Sequence, residues 1–186
     1  MPNCLLKPLQ LTLAIFKPDV VSRPHIVQQI KQMIRDDGFF FVKSTTCYLP
    51  RSKAEEFYKE HEGRFFHNRL VTFISSGHVS AHILAKHDAI KCWRKLMGPT
   101  KVLKTVHEDP HSIRGKFGLT DTRNATHGSD SEESARREIN FFFSDFNIEE
   151  WHRTEEPYFR QGKVKFCEDK EIHVTITENE HKLSHE

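Results

Sequence analysis

His127 stands in "RNATHGSDSEES" (residues 123–134), between an asparagine and a Gly-Ser-Asp-Ser turn that leads into a helix. The chain has 13 histidines, and one in such a turn is most often a solvent-facing residue. The helix that follows is what sets this one apart. Ser129 with Glu132, or Asp130 with Glu133, has the spacing of a capping box, so the helix is expected to begin immediately after Gly128. Its apolar stripe is Ala135, Ile139, Phe142 and Phe143, and at about 100° per residue Glu138 falls on the border of that stripe. A carboxylate there either joins a solvated Glu–Arg helix pair or, with Ser129, orients His127 as a nucleophile.

Cations supply the second part of the chemistry. Lys17 ends the first apolar run, Arg94 lies in "CWRKLMGPT" and Arg114 in "SIRGKFG". Each alone reads as a surface charge. Together, with Asn124 and Thr100 as neutral donors and acceptors, they form the kit phosphoryl transfer needs, positive groups from separate segments converging on oxygens. Arginine suits the task because its planar fork meets phosphate bidentately. The sequence has no G-x-x-x-x-G-K-[ST] and no kinase Gly-rich loop. A phosphate site must therefore be assembled from side chains, which favours a nucleophilic histidine over transfer on a phosphate-binding loop.

The whole chain narrows the classes. At 186 residues it suits one domain with a real core. A hydrophobic fraction of 37% and a charged fraction of 29% exclude a disordered chain and a membrane protein. No apolar run approaches the roughly 20 residues of a spanning helix. A net charge of +2 is too small to imply nucleic acid, and the basic residues are not gathered in one run. Cys4, Cys47, Cys92 and Cys167 have no C-x-x-C pair or zinc-site spacing and read as free thiols of a reducing compartment. "MPNCLLKPLQ" lacks the features of a secretory signal, so the expected location is cytoplasmic or mitochondrial.

The elements that must position these residues follow from period and punctuation. "LQLTLAIFKPD" is a strand stopped at Lys17-Pro18, and "PHIVQQIKQMIRD" a helix with Ile26, Ile30, Met33 and Ile34 at helical spacing, stopped by Gly38. "FFFVKSTTCYL" is a second strand, and Ser52 with Glu55 forms the capping box of a helix carrying Phe57 and Tyr58. A short helix over 69–75 ends at Gly77; "HVSAHILA" is a third strand, and "HDAIKCWRKLM" a helix ended by Gly98. Residues 99–122 have no clean period and are expected to form a long loop. A short strand over 125–128 leads into the helix at 131–143. This order predicts an α+β, ferredoxin-like sandwich, its four-stranded antiparallel sheet covered by helices on one face, as a domain over residues 9–150. From 151 onward a partly irregular C-terminal extension is expected, with "EIHVTIT" as one exposed strand and "ENEHKLSHE" as a frayed tail.

"AIFKPD", "SIRGKFG" and above all "NATHGSDS" resemble the nucleoside diphosphate kinases. The resemblance covers residues 11–143, its motifs come in the family's order, and N-x-x-H-G-S-D-S is highly specific. "EHEGRFF", "LMGPT" and "GLTDTRNATHGSDS" are most similar to the divergent type-6 members. The resemblance implies that His127 is the phosphorylated residue. It implies that Lys17, Arg94, Thr100, Arg114 and Asn124 hold the nucleotide phosphates and sugar. Phe66 would stack on the base with Leu70 beside it, and Tyr58, Ser129 and Glu138 would steady the histidine. Phe65 is adjacent, so either ring of the pair could face the base, and both could equally pack in the core. Two departures stand out: "KVLKTVHEDPHSI" is longer than in typical members, and the C-terminus does not resemble the family's short ending. They lead to the expectation of a monomer or small oligomer, with a protein partner at the long loop or the extension.

The implied reaction carries the γ-phosphoryl of a nucleoside triphosphate to a nucleoside diphosphate by a ping-pong route through phosphohistidine. Attack needs a neutral ring with a free lone pair, a form that histidine alone among the ordinary side chains exchanges with its cation near neutral pH. Mg²⁺ is expected to arrive on the nucleotide phosphates rather than in a protein cage. One stacked ring reads a base loosely, so purine and pyrimidine nucleotides should both be accepted. The alternative is a catalytically weak, nucleotide-binding interaction or regulatory protein on the same fold. The intact His–Ser–Glu and Lys/Arg set favours catalysis; the altered loop and tail favour specialisation.

Overall fold

The computed structural model describes residues 7–176. Strand β1 (Gln10–Phe16) is buried at every position after Gln10, and β3 (His78–Lys86) is buried between its two ends. β1 lies at the centre of an antiparallel sheet, between β3 and the short β4 (Thr126–Gly128), while β2 (Phe40–Tyr48) pairs with the far side of β3. The order β2-β3-β1-β4 is that of a ferredoxin-like α+β sandwich.

Helices cover both faces of this sheet, not one. Leu11, Leu13 and Ile15 point into one core with Phe57 of α3 (Arg51–Phe57), Val71 and Ile74 of α4 (His67–Ile74) and Ile139 of α8 (Glu132–Phe142). Ala14 and Phe16 point into another with Ile26, Ile30 and Ile34 of α2 (Pro24–Asp36) and Trp93 of α5 (Ala89–Met97). A strand that is apolar on both sides has to be covered on both sides, and "LTLAIF" does not alternate with polar residues.

Local differences from the sequence-based expectations have local causes. A short α1 (Pro18–Val21) starts directly after Lys17, with proline at its first position where no amide is needed. α3 begins at Arg51 behind Pro50, so Ser52 is already inside the first turn and the Ser52–Glu55 box does not form. Residues 99–122 are not a plain loop but hold two short helices, α6 (Val102–Glu108) and α7 (Ile113–Phe117). They are fixed by buried Val102, Thr105 and Ile113, with Thr105 Oγ1 donating to the Pro99 carbonyl at 3.0 Å. The cap of α8 is Ser131, bonded reciprocally with Ser134, rather than Ser129 or Asp130. That leaves Ser129 free for another partner.

The C-terminal part packs on the same core. α9 (Ile148–Thr154) runs across residue 150, and Trp151 and Phe159, the latter in α10 (Glu156–Arg160), are buried in the core that holds Leu13. "EIHVTIT" is not a lone exposed strand. Its β6 (Ile172–Thr175) pairs with β5 (Val164–Cys167), and the hairpin is half-buried along β2 and α2. There Glu171 meets buried Lys31 at 2.5 Å, and His173 Nδ1 accepts the Phe41 amide at 2.9 Å. The segment "ENEHKLSHE" and Cys4 lie outside the described residues; Cys47, Cys92 and Cys167 are free thiols. Among the described residues no helix is long and apolar enough to cross a membrane.

Candidate active site

The chain enters β4 through a left-handed residue. Ala125 has φ 71, and the turn is held on both sides: its amide donates to Asp19 Oδ2 at 3.2 Å, and its carbonyl accepts the Lys17 amide at 2.9 Å. Two residues on, His127 pairs with Ile15 of β1, and its carbonyl accepts Trp93 Nε1 at 3.2 Å. Gly128 lies so close to the Trp93 indole that a Cβ has no room. The backbone around the imidazole is therefore fixed by the sheet, the indole and the Asp19 carboxylate.

The ring is oriented by Glu138. His127 Nε2 lies 3.0 Å from Glu138 Oε1, and Ser129 Oγ donates to Oε2 at 2.6 Å while accepting the Leu13 amide at 3.3 Å. Burial by itself pushes the Glu138 carboxyl up. The His127 ring, its hydrogen bond, the Ser129 hydroxyl and Arg137 outweigh burial and hold it below the usual carboxylate range. An ionised carboxylate accepts only, so Nε2 carries a proton, and in the neutral ring Nδ1 is then the nitrogen with the lone pair. Among the described residues nothing hydrogen-bonds Nδ1. The side chain of His127 is 19% exposed, and Phe57 and Tyr58 lie edge-on to its ring at 5.3 and 6.4 Å. Ser129 is fully buried and touches the carboxylate rather than the ring.

The cations sit around the same space. Buried Lys17 donates from Nζ to Asn124 Oδ1 at 2.7 Å and to the Thr122 carbonyl at 3.4 Å. Burial, and then Arg114, push its ammonium down to about 7, against the pull of Asp19. Arg114 spans the floor, donating to the Gly98 and Thr126 carbonyls at 2.9 Å each, and its buried Nε has no partner among the described residues. Burial and Arg94 lower it to about 10, Tyr58 opposing, which leaves it charged at pH 7. Two buried, partly dehydrated basic groups, each lowered further by a neighbouring arginine, are what an anionic ligand relieves.

These groups line one cleft of about 1000 Å³. It brings together Lys17, Tyr58, Phe66, Leu70, Arg94, Thr100, Arg114, Asn124, His127 and Glu138; Ser129 alone of the expected residues lies behind the wall. Phe65 and Phe66 both line the cleft, Phe65 84% exposed and Phe66 half-buried against His61 at 5.5 Å. The structure adds residues that sequence reasoning missed. Arg69, Lys95 and Lys101 line the cleft, and Arg69 was within reach of a helical reading because it stands three residues after Phe66. Asp121 caps the start of α6, accepting the Val102 amide at 3.0 Å, and its carbonyl accepts Asn124 Nδ2 at 2.9 Å. No local signal marks that role. Among the described residues no group of three or more His, Cys, Asp or Glu side chains is placed to cage a metal.

The chain is similar to known proteins in sequence and in fold. The nucleoside diphosphate kinase family model matches residues 10–148. The chain is 51% identical to nucleoside diphosphate kinase 6 of Danio rerio over 168 residues, 90% of this chain and 95% of that protein. It is 50% identical to nucleoside diphosphate kinase 6 of Homo sapiens, covering 89% of each. In structure it is similar to the nucleoside diphosphate kinase of Aquifex aeolicus, with a TM-score of 0.69 and 39% identity over 73% of this chain and 95% of that one. The enzyme from Encephalitozoon cuniculi aligns with a TM-score of 0.68 and 28% identity over 77% and 99%. The matched fold, the family model across most of the chain and relatives at about half identity lead to one conclusion: the chain belongs to the nucleoside diphosphate kinase family.

Proposed function

We propose that the protein transfers the γ-phosphoryl group of a nucleoside triphosphate to a nucleoside diphosphate by way of His127. The observation that carries this is the 3.0 Å contact of Nε2 with Glu138, which in the neutral ring makes Nδ1 the nucleophilic nitrogen of a cleft floored by Lys17 and Arg114. In the first half-reaction a bond forms between Nδ1 and the γ-phosphorus. The bond from that phosphorus to the β–γ bridging oxygen breaks, and its electron pair leaves on the nucleoside diphosphate. The positive charge gained by the imidazole is shared with Glu138 through Nε2–H. In the second half a terminal β-oxygen of another diphosphate attacks the phosphorus, the N–P bond breaks, and the pair returns to Nδ1. No proton is gained or lost over the cycle.

Lys17, Arg94 and Arg114 offset charge on the phosphates, and Thr100 and Asn124 add neutral bonds to phosphate and sugar. Phe66 stacks on the base beside Leu70, and so imposes little choice between bases. Mg²⁺ would arrive on the nucleotide phosphates and lower their charge.

Incubation with γ-labelled ATP and Mg²⁺ is expected to put an acid-labile phosphate on His127, discharged by GDP or CDP, and His127→Ala should not label. Labelling of that variant like wild type would reject the nucleophile. A second reading, a nucleotide-binding interaction protein, is favoured by Leu103 and Val106, exposed side by side on α6. Nucleotide binding by wild type without any label would move the assignment there.

A further inference from the structure

Between α3 and α4 the cleft wall has little regular structure. The chain makes a single 3-10 turn at Lys59–His61 and then passes through Gly63 at φ 81. Yet this segment matters to both ends of the cleft. Tyr58 stands edge-on to His127 at 6.4 Å, and His61 backs Phe66 at 5.5 Å. The brace comes from α8. Arg137 reaches back to donate to Glu60 Oε2 at 2.9 Å and to the Phe57 carbonyl at 3.5 Å. The same Nη2 lies 3.9 Å from Glu138 Oε1, the oxygen that holds His127 Nε2. A planar guanidinium can serve two directions at once because its donors are fixed in one fork.

We propose that Arg137 is a positioning residue for the reaction, fixing the 57–61 wall and the Glu138 carboxylate at one spacing so that a nucleotide seated on the wall meets an already oriented His127. The inference rests on His127 as phosphoryl acceptor. It assigns two separable arms. The Glu60 arm sets where the nucleotide lies, and the Glu138 arm, at 3.9 Å, keeps a positive charge beside the oxygen that holds His127 Nε2. A misplacement on the scale of 1 Å is enough to slow an oriented transfer by orders of magnitude, so either arm should be visible in kinetics.

The test compares two donors on the full chain: labelled ATP, which uses the wall, and phosphoramidate, a small phosphoryl donor with no base or sugar. Arg137→Gln, which loses both arms, should slow labelling of His127 by both donors about ten-fold. Arg137→Lys keeps the charge beside Glu138 and should recover phosphoramidate labelling to within about three-fold of wild type while ATP labelling stays slow. Glu60→Gln should raise KM for ATP about three-fold or more and change phosphoramidate labelling less than about two-fold. If Arg137→Gln proves unfolded by its melting curve, the Lys and Glu60 variants carry the same comparison. Equal deficits with both donors in all folded variants, or rates at wild-type level in Arg137→Gln, overturn the proposal. A wild-type protein that labels with neither donor rejects the phosphohistidine reading instead.

Discussion

His82 on β3 and His127 on β4 belong to the same sheet, but their surroundings have almost nothing in common. His82 is 1% exposed, between Ser44 Oγ on Nδ1 at 2.8 Å and Ser80 Oγ on Nε2 at 3.0 Å, with the Phe16 and Phe41 rings at 4.5 and 5.4 Å. Burial, helped by Lys31, pushes it down to about 3, so it is a neutral ring with both nitrogens satisfied. His127 has a carboxylate on one nitrogen and open cleft at the other. A hydroxyl partner satisfies an imidazole; a carboxylate partner also stabilises the cation that forms when the other nitrogen attacks. The difference between a packing residue and a candidate nucleophile thus lies in the partner and in access, not in the side chain.

The sharpest way to break this comparison is to neutralise the partner. Glu138→Gln keeps the shape but removes the charge, and the rate of His127 labelling should fall about 100-fold or more, with little change in melting temperature. A near wild-type rate would mean the carboxylate only packs. Next in size is the nucleotide wall. Phe66→Ala should weaken binding of ADP, GDP and CDP together by roughly 1–3 kcal/mol, on the scale of base–aromatic stacking. Calorimetry on Phe65→Ala in parallel decides which ring faces the base, and a loss confined to one nucleotide would contradict stacking without selection.

Lys17 adds a pH signature to the cleft. With its empty-site value at about 7, the ammonium loses its proton as pH rises above that point. Bound phosphates favour the charged form, so binding takes up a proton between the empty-site and bound values. Affinity for a nucleoside diphosphate should therefore fall as pH rises from about 7 to 9, by up to about ten-fold per unit. Lys17→Arg, charged throughout, should flatten that dependence; an equally steep variant would assign the proton elsewhere.

The smallest effect concerns His82 and should leave chemistry alone. Its folded-state value of about 3 lies below that of an unfolded chain, so the unfolded state takes up the proton first. Stability is undisturbed above the unfolded value of about 6.5 and falls as pH drops towards 3, by at most about 1.4 kcal/mol per unit. Urea unfolding at pH 7 and pH 5 should show a weaker acid loss in His82→Gln than in wild type, with ATP labelling at pH 7.5 unchanged. A loss of labelling in that variant would erase the contrast between the two rings.

Much of this was legible before any coordinates. β1, α2, β2, β3 and α5 carry strong periods and clear stops at Pro18, Gly38 and Gly98, and they lie close to where the residues placed them. α6 and α7 were not legible, because a helix of two turns or fewer shows too few repeats to establish a period. Two-sided burial was written in "LTLAIF" as the lack of alternation, a signal that a one-faced sandwich overrides. At the cleft, His127, Glu138 and the Lys17–Arg94–Arg114 set converge as their types suggested. Arg137 and Asp121 stayed hidden because their partners are 77 and 19 residues away in the chain, and only the packing of α8 and α6 brings them into reach. Ser129 went to Glu138 because Ser131 took the cap it had been assigned.

The pairing of β1 with β4 ties this cleft to the time course of synthesis. Lys17 meets Asn124 across 107 residues, and Leu13 meets Ser129 across 116, so these contacts carry a high loop-closure cost and form late. On a ribosome adding about 5–20 residues per second, the lysine emerges several seconds before the strand it serves. Until residue 138 follows, the histidine has no carboxylate to aim it and the buried ammonium has no carboxamide. The centre is thus among the later parts of the sheet to exist, and a chain that binds nucleotide there has already paired β1 with β4.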